Sequence, residues 1–298
     1  MRGLLLGIAY LLVIVFAASV LSWLLAGAFE YDYFKVLSKT IQLTIVLSVI
    51  PLWRWLDLDF HLIRLESWQT RELFLWVGAG VLSLLPLILF FVVTGFRVLD
   101  TRVLVLSPEF LLTLVTIIVG ALMVAVFEEI LFRGVLYTLF RRVWSVLVSS
   151  LGVSMLYAAV HFLRTEDNLV ALGVFSGFTY LREAVAGLDS VGEDIGSFGA
   201  LVLLSLVLIW AREKFNLWVC IALHASWVMC IRVFKELTVR DIVNPFEAWV
   251  GTYDNFIGPL ALFWLVFIVV VIRLHRHHRL NFGEPPGATR GKQRQESI

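Results

Sequence analysis

The sequence predicts an all-α membrane protein, a polytopic bundle of about eight transmembrane helices. Three observations carry this. Hydrophobic residues make up 60% of the 298 residues and charged residues 16%, with a mean hydropathy of +0.91, well outside the soluble range. The charges cluster in short stretches between apolar runs. No segment has the alternating pattern of a barrel strand, so helices, which satisfy their own backbone, are the remaining way to span lipid.

The apolar segments are 3–29, 40–56, 73–96, 109–140, 143–163, 197–211, 216–235 and 255–273. The first is too long for the apolar region of a signal peptide and long enough to cross a bilayer, so it is read as a helix that stays. Eight crossings place both termini on one side. The tail carries Arg273, Arg276, Arg279, Arg290, Lys292 and Arg294, which makes that side cytoplasmic. The stretch 57–72 is amphipathic and is expected along the interface. The stretch 168–188, broken by Arg182 and Glu183, is expected as a surface or re-entrant helix. Residues after Asn281 are polar and rich in Pro and Gly, the composition of a disordered tail. The chain thus divides into N-terminal helices with an amphipathic linker (1–108), a core (109–235), a last helix (236–280) and a tail (281–298).

Net charge is +1, which gives no bulk case for nucleic-acid binding. Cys220 and Cys230 lack metal or redox spacing and read as free thiols. Arg232 and Lys235 read as snorkelling residues at a helix end. Gly173 and Gly177 form a small-xxx-small pair, a sign of close helix packing.

Ionisable residues inside apolar spans are costly and mark function. The stretch "VFEEILFRGVLY" (126–137) places Glu128, Glu129 and Arg133 in the fourth span. His161 lies in the fifth and His224 in the seventh. Successive helical residues turn by about 100°, so the two glutamates face different ways. Glu129 and Arg133 are four apart and share a face, which suits an ion pair. Glu128 is left facing a neighbouring helix, and a buried lone carboxyl suits acid–base chemistry. His161 alone reads more readily as a core or interfacial residue than as a catalyst, and His224 alone is similarly ambiguous. Measured from the loops, Glu128 lies roughly 20 Å deep, His161 roughly 27 Å and His224 roughly 12 Å. Helix tilt can absorb much of that spread.

"EEILFR" (128–133), "YAAVH" (157–161) and "LHASWV" (223–228) together resemble the ordered motifs of the CAAX-protease and bacteriocin-processing family, which includes the type II CAAX prenyl endopeptidases. The resemblance covers roughly 109–235. It implies an intramembrane endopeptidase in which Glu128 is the general base. His161 would hold the attacking water, and His224 would donate to the oxyanion. Glu129, Arg133 and Tyr157 would support them. The implied partners are the membrane and a membrane-associated peptide or protein. The implied location is a bacterial-type cytoplasmic membrane. No cofactor is expected: two histidines and a carboxylate suit zinc in principle, but the spacing is not that of a zinc-binding helix.

Two departures from the family pattern matter. Tyr157 stands where Phe is typical, which keeps the ring and adds a hydroxyl. Val228 stands where Asn is typical, and valine cannot donate a hydrogen bond. Either His224 acts alone, or another donor serves, such as Ser226, Tyr157 or a backbone N–H. Val228 also keeps open a catalytically inactive scaffold or immunity-type binding protein, and Glu128 with His161 would equally serve a transporter or proton relay.

Overall fold

A computed structural model describes residues 2–29, 33–55, 59, 61, 63–65, 70–101, 107–163, 173–241 and 243–282. Long helices occupy every apolar segment read from the sequence. They are α1 (Arg2–Phe29), α2 (Tyr33–Trp55), α3 (Thr70–Val93), α4 (Pro108–Glu128), α6 (Val146–His161), α8 (Ile195–Lys214), α9 (Leu217–Leu237) and α11 (Pro259–Phe282). After α4 the helix continues without a break through a π-helical segment, Glu129–Leu136, into α5 (Tyr137–Arg141). Shorter pieces are α7 (Ser176–Ala186), a 3-10 turn at Gly187–Val191 and α10 (Glu247–Val250).

Among the described residues, four helices are long and apolar enough to cross a membrane: Thr70–Val93, the continuous Pro108–Arg141, Ile195–Lys214 and Leu217–Leu237. Shorter apolar stretches are Leu12–Ala26, Val146–His161 and Pro259–Leu274. The protein is therefore a multi-pass helical membrane protein.

Local sequence sets where the helices begin. Ser107 caps α4 by accepting from the Phe110 N–H, with Pro108 in the first turn. Ser145 caps α6, Asp194 caps α8 and Asn216 caps α9 in the same way. Asn216 and Phe215 form the tight turn that makes α8 and α9 neighbours. α9 is the hub: it packs against α3, α4, α8 and the π segment. Its buried Leu217, Cys220 and Leu223 join Ala125 of α4 and Leu208 of α8 in one core. α6 and α11 pack on α8, and α1 packs on α2 and α7.

Several sequence expectations need correction. A small antiparallel ribbon was not anticipated: β1 (Arg97–Leu99) pairs with β2 (Thr238–Arg240). Arg97 holds it, donating from Nε to Thr238 Oγ1 at 2.7 Å and from Nη2 to the Thr238 carbonyl at 3.0 Å. Half of the stretch 57–72 lies outside the described residues. Its last three residues, 70–72, are the first turn of α3. Ile63 is fully buried, and Arg64 brackets the α8–α9 turn, donating to the Phe215 carbonyl at 2.6 Å and accepting from the Leu217 N–H at 2.9 Å. Within the stretch expected along the interface, Ile63 is therefore a core residue, and Arg64 satisfies backbone groups that the turn exposes.

Residues 164–172 lie outside the described residues. α7 has 11 residues, or about 16 Å, which is short of a hydrocarbon core of about 30 Å. It docks on α1 through Gly177, where an added Cβ would come within 2.6 Å of Ser19 Cβ. Gly173, by contrast, lies outside the helix at φ +112°. Lys235, expected to snorkel at a helix end, pairs with Asp254 at 2.8 Å. Both cysteines are free. Of the expected tail, 281–298, the first two residues belong to α11, and 283–298 lie outside the described residues.

Candidate active site

The depth arithmetic left room for Glu128, His161 and His224 to meet, and they do. His161 Nε2 is 3.8 Å from Glu128 Oε2, and His224 Nε2 is 3.9 Å from the same oxygen. Three elements supply them: the junction of α4 with the π segment, the C-terminus of α6 and the middle of α9.

The two glutamates divide as helix phase predicts. Glu129 Oε1 accepts from Arg133 Nη1 at 2.9 Å, and both side chains are 0% exposed. The π segment begins at Glu129, so the change in helix winding falls between the two carboxylates. π turns are rare and recur at functional sites. Glu128 is 20% exposed, yet its Oε2 is buried and has no hydrogen-bond partner.

Glu129 has a second task that the sequence did not reveal. Its Oε1 also meets His224 Nδ1 at 2.8 Å. A carboxylate accepts, so His224 donates from Nδ1. His161 Nδ1 lies 2.8 Å from the Tyr157 carbonyl, which can only accept, so His161 donates there too. With both Nδ1 atoms committed, both Nε2 atoms face Glu128. The tautomers follow from the hydrogen-bond network.

Tyr157 ties the parts together through its ring. The Arg133 guanidinium carbon sits 4.3 Å over that ring, and the His161 ring centroid is 4.4 Å away. Phe132 meets Tyr157 edge-on at 5.1 Å. The ring contacts explain why an aromatic residue serves at this position.

The expected substitutes for the missing asparagine fare differently. Val228 lies one turn beyond His224 on α9 and is half-buried. Ser226 points elsewhere: its hydroxyl donates to the Leu223 carbonyl at 2.7 Å and lies against Gly80 of α3. It is a packing residue at the α3–α9 contact. Sequence reasoning also missed Tyr253, whose ring centroid lies 6.0 Å from that of His161. It stands in a turn-rich stretch, "GTYDNF" (251–256), with no catalytic signature. Among the described residues, no group of three or more His, Cys, Asp or Glu is arranged to hold a metal ion.

The chain is thus a helical membrane protein in which the buried Oε2 of Glu128 faces two oriented imidazoles. Residues 110–230 match the family model described as Type II CAAX prenyl endopeptidase Rce1-like. The match takes in all three motifs, and it is to the family they resemble. It supports a CAAX-type membrane protease in general terms. No curated protein and no solved structure matches significantly.

Proposed function

We propose that the protein is an intramembrane endopeptidase that hydrolyses a peptide bond of a membrane-associated peptide or protein with water activated by Glu128. One observation carries the reading: Glu128 Oε2 is buried and unpartnered while two oriented Nε2 atoms approach it at 3.8 and 3.9 Å. These separations exceed a direct hydrogen bond of about 2.7–3.2 Å and suit groups that share a water molecule.

In this mechanism Glu128 takes a proton from water as the oxygen attacks the scissile carbonyl carbon. His161 Nε2 holds the water. The carbonyl π electrons move to its oxygen, giving a tetrahedral oxyanion. His224 donates from Nε2 to that oxyanion in its imidazolium form, since its Nδ1 proton is committed to Glu129. Glu128 then returns the proton to the leaving nitrogen, the C–N bond breaks, and an acid and an amine depart. Arg133 balances the charge of Glu129, so that Glu129 can orient His224. The reaction needs no metal, and activity should survive strong chelation. The eight helices would all cross a bacterial-type cytoplasmic membrane, with both termini in the cytoplasm.

The test is cleavage of a membrane-anchored peptide by purified protein. Glu128→Gln should lower kcat by about 10²–10⁴-fold, the range for loss of a general base. Equal cleavage by wild type and variant would sink the mechanism.

Val228 favours a second reading, a binding protein that keeps the site without turnover. Val228→Asn separates the two. On the hydrolase reading it raises kcat by about tenfold, less than the about 10²–10³-fold value of an optimised oxyanion donor. Unchanged turnover would place the limiting donor elsewhere. Absence of turnover in both forms would favour the binding reading.

A further inference from the structure

The loop between α10 and α11 takes no part in the mechanism above and lies outside the matched segment. It is nevertheless tightly built. Asp194, the N-cap of α8, is 6% exposed and gathers four donors. Its Oδ1 accepts from the Ser197 N–H at 3.0 Å. Its Oδ2 accepts from the Thr252 N–H at 2.5 Å, the Thr252 hydroxyl at 3.0 Å and the Tyr253 N–H at 2.9 Å. A helix N-terminus favours this negative charge. Only the Ser197 bond serves the helix; the other three hold the loop.

The approach is close enough to exclude a side chain. Gly251 has φ +72°, and an added Cβ would lie 2.3 Å from Ser197 Oγ and 3.0 Å from each Asp194 oxygen. Further along, Asp254 Oδ1 accepts from the N–H groups of Phe256 and Ile257 at 3.0 and 2.6 Å, while Oδ2 pairs with Lys235.

The clamp delivers one ring to the site. Tyr253 stacks on Phe162 at 5.5 Å and meets His161 at 6.0 Å with an interplanar angle of 61°. Phe162 in turn packs edge-on against Phe198 of α8 at 5.7 Å. His161 is the last residue of α6, with Phe162 at the C-cap. Tyr157 supports it from within its own helix, and Tyr253 supports it from the loop.

We propose that Tyr253 is a positioning residue whose ring holds His161 in line with Glu128, and that Asp194 is the anchor that sets Tyr253. The kinetic consequence rests on the hydrolase reading; the placement of His161 does not.

The experiment uses the full chain in detergent and two measurements. The first is carbethoxylation of histidines by diethyl pyrocarbonate, mapped by mass spectrometry. Tyr253→Ala should speed modification of His161 by about threefold or more, while His224, held in the core, reacts as in wild type. Tyr253→Phe keeps the ring and should behave as wild type, which also guards against misfolding as the cause. Asp194→Ala should mimic Tyr253→Ala, and the double variant should be no worse than Tyr253→Ala alone, since the two act in series.

The second measurement is turnover. Tyr253→Ala should lower kcat by about 10- to 10²-fold, as displacement of a working group does, with KM within about twofold. A wild-type His161 modification rate in Tyr253→Ala would overturn the proposal. So would Tyr253→Phe behaving like Tyr253→Ala, because the ring would then not be the agent. If Glu128→Gln cleaves as well as wild type, the hydrolase reading fails, and the modification rates still decide the role of Tyr253.

Discussion

The two faces of α9 make opposite use of polar side chains. Toward α3, the polar contacts among the described residues are neutral and closed. Ser226 donates to the Leu223 carbonyl, Trp227 Nε1 donates to Ser83 Oγ at 3.0 Å, and Ser83 donates to the Gly80 carbonyl at 2.7 Å. Toward the π segment the groups are charged and incompletely paired. Glu128 Oε2, Glu129 Oε2, and Arg133 Nε and Nη2 are all buried without a hydrogen-bond partner. Buried polar groups are normally satisfied, so a cluster of exceptions calls for an explanation. One helix therefore carries a joint and a workplace on opposite sides. The joint maximises close approach, while the other side keeps buried charged groups incompletely paired, the arrangement on which the proposed chemistry rests.

Removing Arg133 should break the comparison most severely. Arg133→Met leaves Glu129 as a buried charge with only His224 to balance it, and loss of one partner of a buried pair costs about 3–5 kcal/mol. Thermal unfolding in detergent should register a large drop, and kcat per folded molecule should fall with it as His224 loses its orientation. Retention of both would show that Glu129 is held by His224 alone.

A lesion on the joint should separate stability from chemistry. An added Cβ on Gly80 would sit 1.9 Å from Ser226 Oγ and 3.3 Å from the Leu223 carbonyl oxygen. Gly80→Ala should cost about 1–3 kcal/mol, the usual penalty for overpacking. Turnover per folded molecule should stay near wild type. A fall in kcat matching that of Arg133→Met would mean the two faces are not independent.

The smallest effect concerns Asp194, outside the membrane-spanning segments. Burial alone would raise its carboxyl, but hydrogen bonds from Ser197 and Thr252 outweigh it and hold the group below its ordinary value of 3.8. A depressed acid stabilises the fold above its unfolded value and loses that contribution as pH falls through the folded value. The stability gap between wild type and Asp194→Asn should therefore be constant from neutral pH to about 5 and close only below about 3.8. A gap that closes near neutral pH would assign the titration to another group. Thermal unfolding across pH measures this.

How much of the site was legible depended on how local each relation is. The Glu129–Arg133 pair is a four-residue spacing on one helix, and the sequence predicted it directly. The different aims of Glu128 and Glu129 followed from helix phase. The convergence of His161 and His224 rested on motif order, since depth estimates taken from loops differed by more than the site is wide. The second bond of Glu129, to His224, was out of reach because it joins residues 95 apart. Ser226, one of the alternatives left open in place of Val228, could not be placed for a similar reason: its spacing from His224 says nothing of the glycine on α3 that it meets.

The sequence by itself determined the helical membrane class, the positions of the long helices and the residues that carry charge inside them. Hydrophobic runs, caps and 3.6-residue periodicity act over short stretches of chain and need no knowledge of neighbours. Tertiary structure alone decided three things: the tautomers of the two histidines, the placement of Ser226 on the α3 side of α9, and the entry of Tyr253. Each depends on which atom a distant element brings within a few ångströms. That is set by the packing of whole helices and the clamping of a loop, for which the local sequence holds no record.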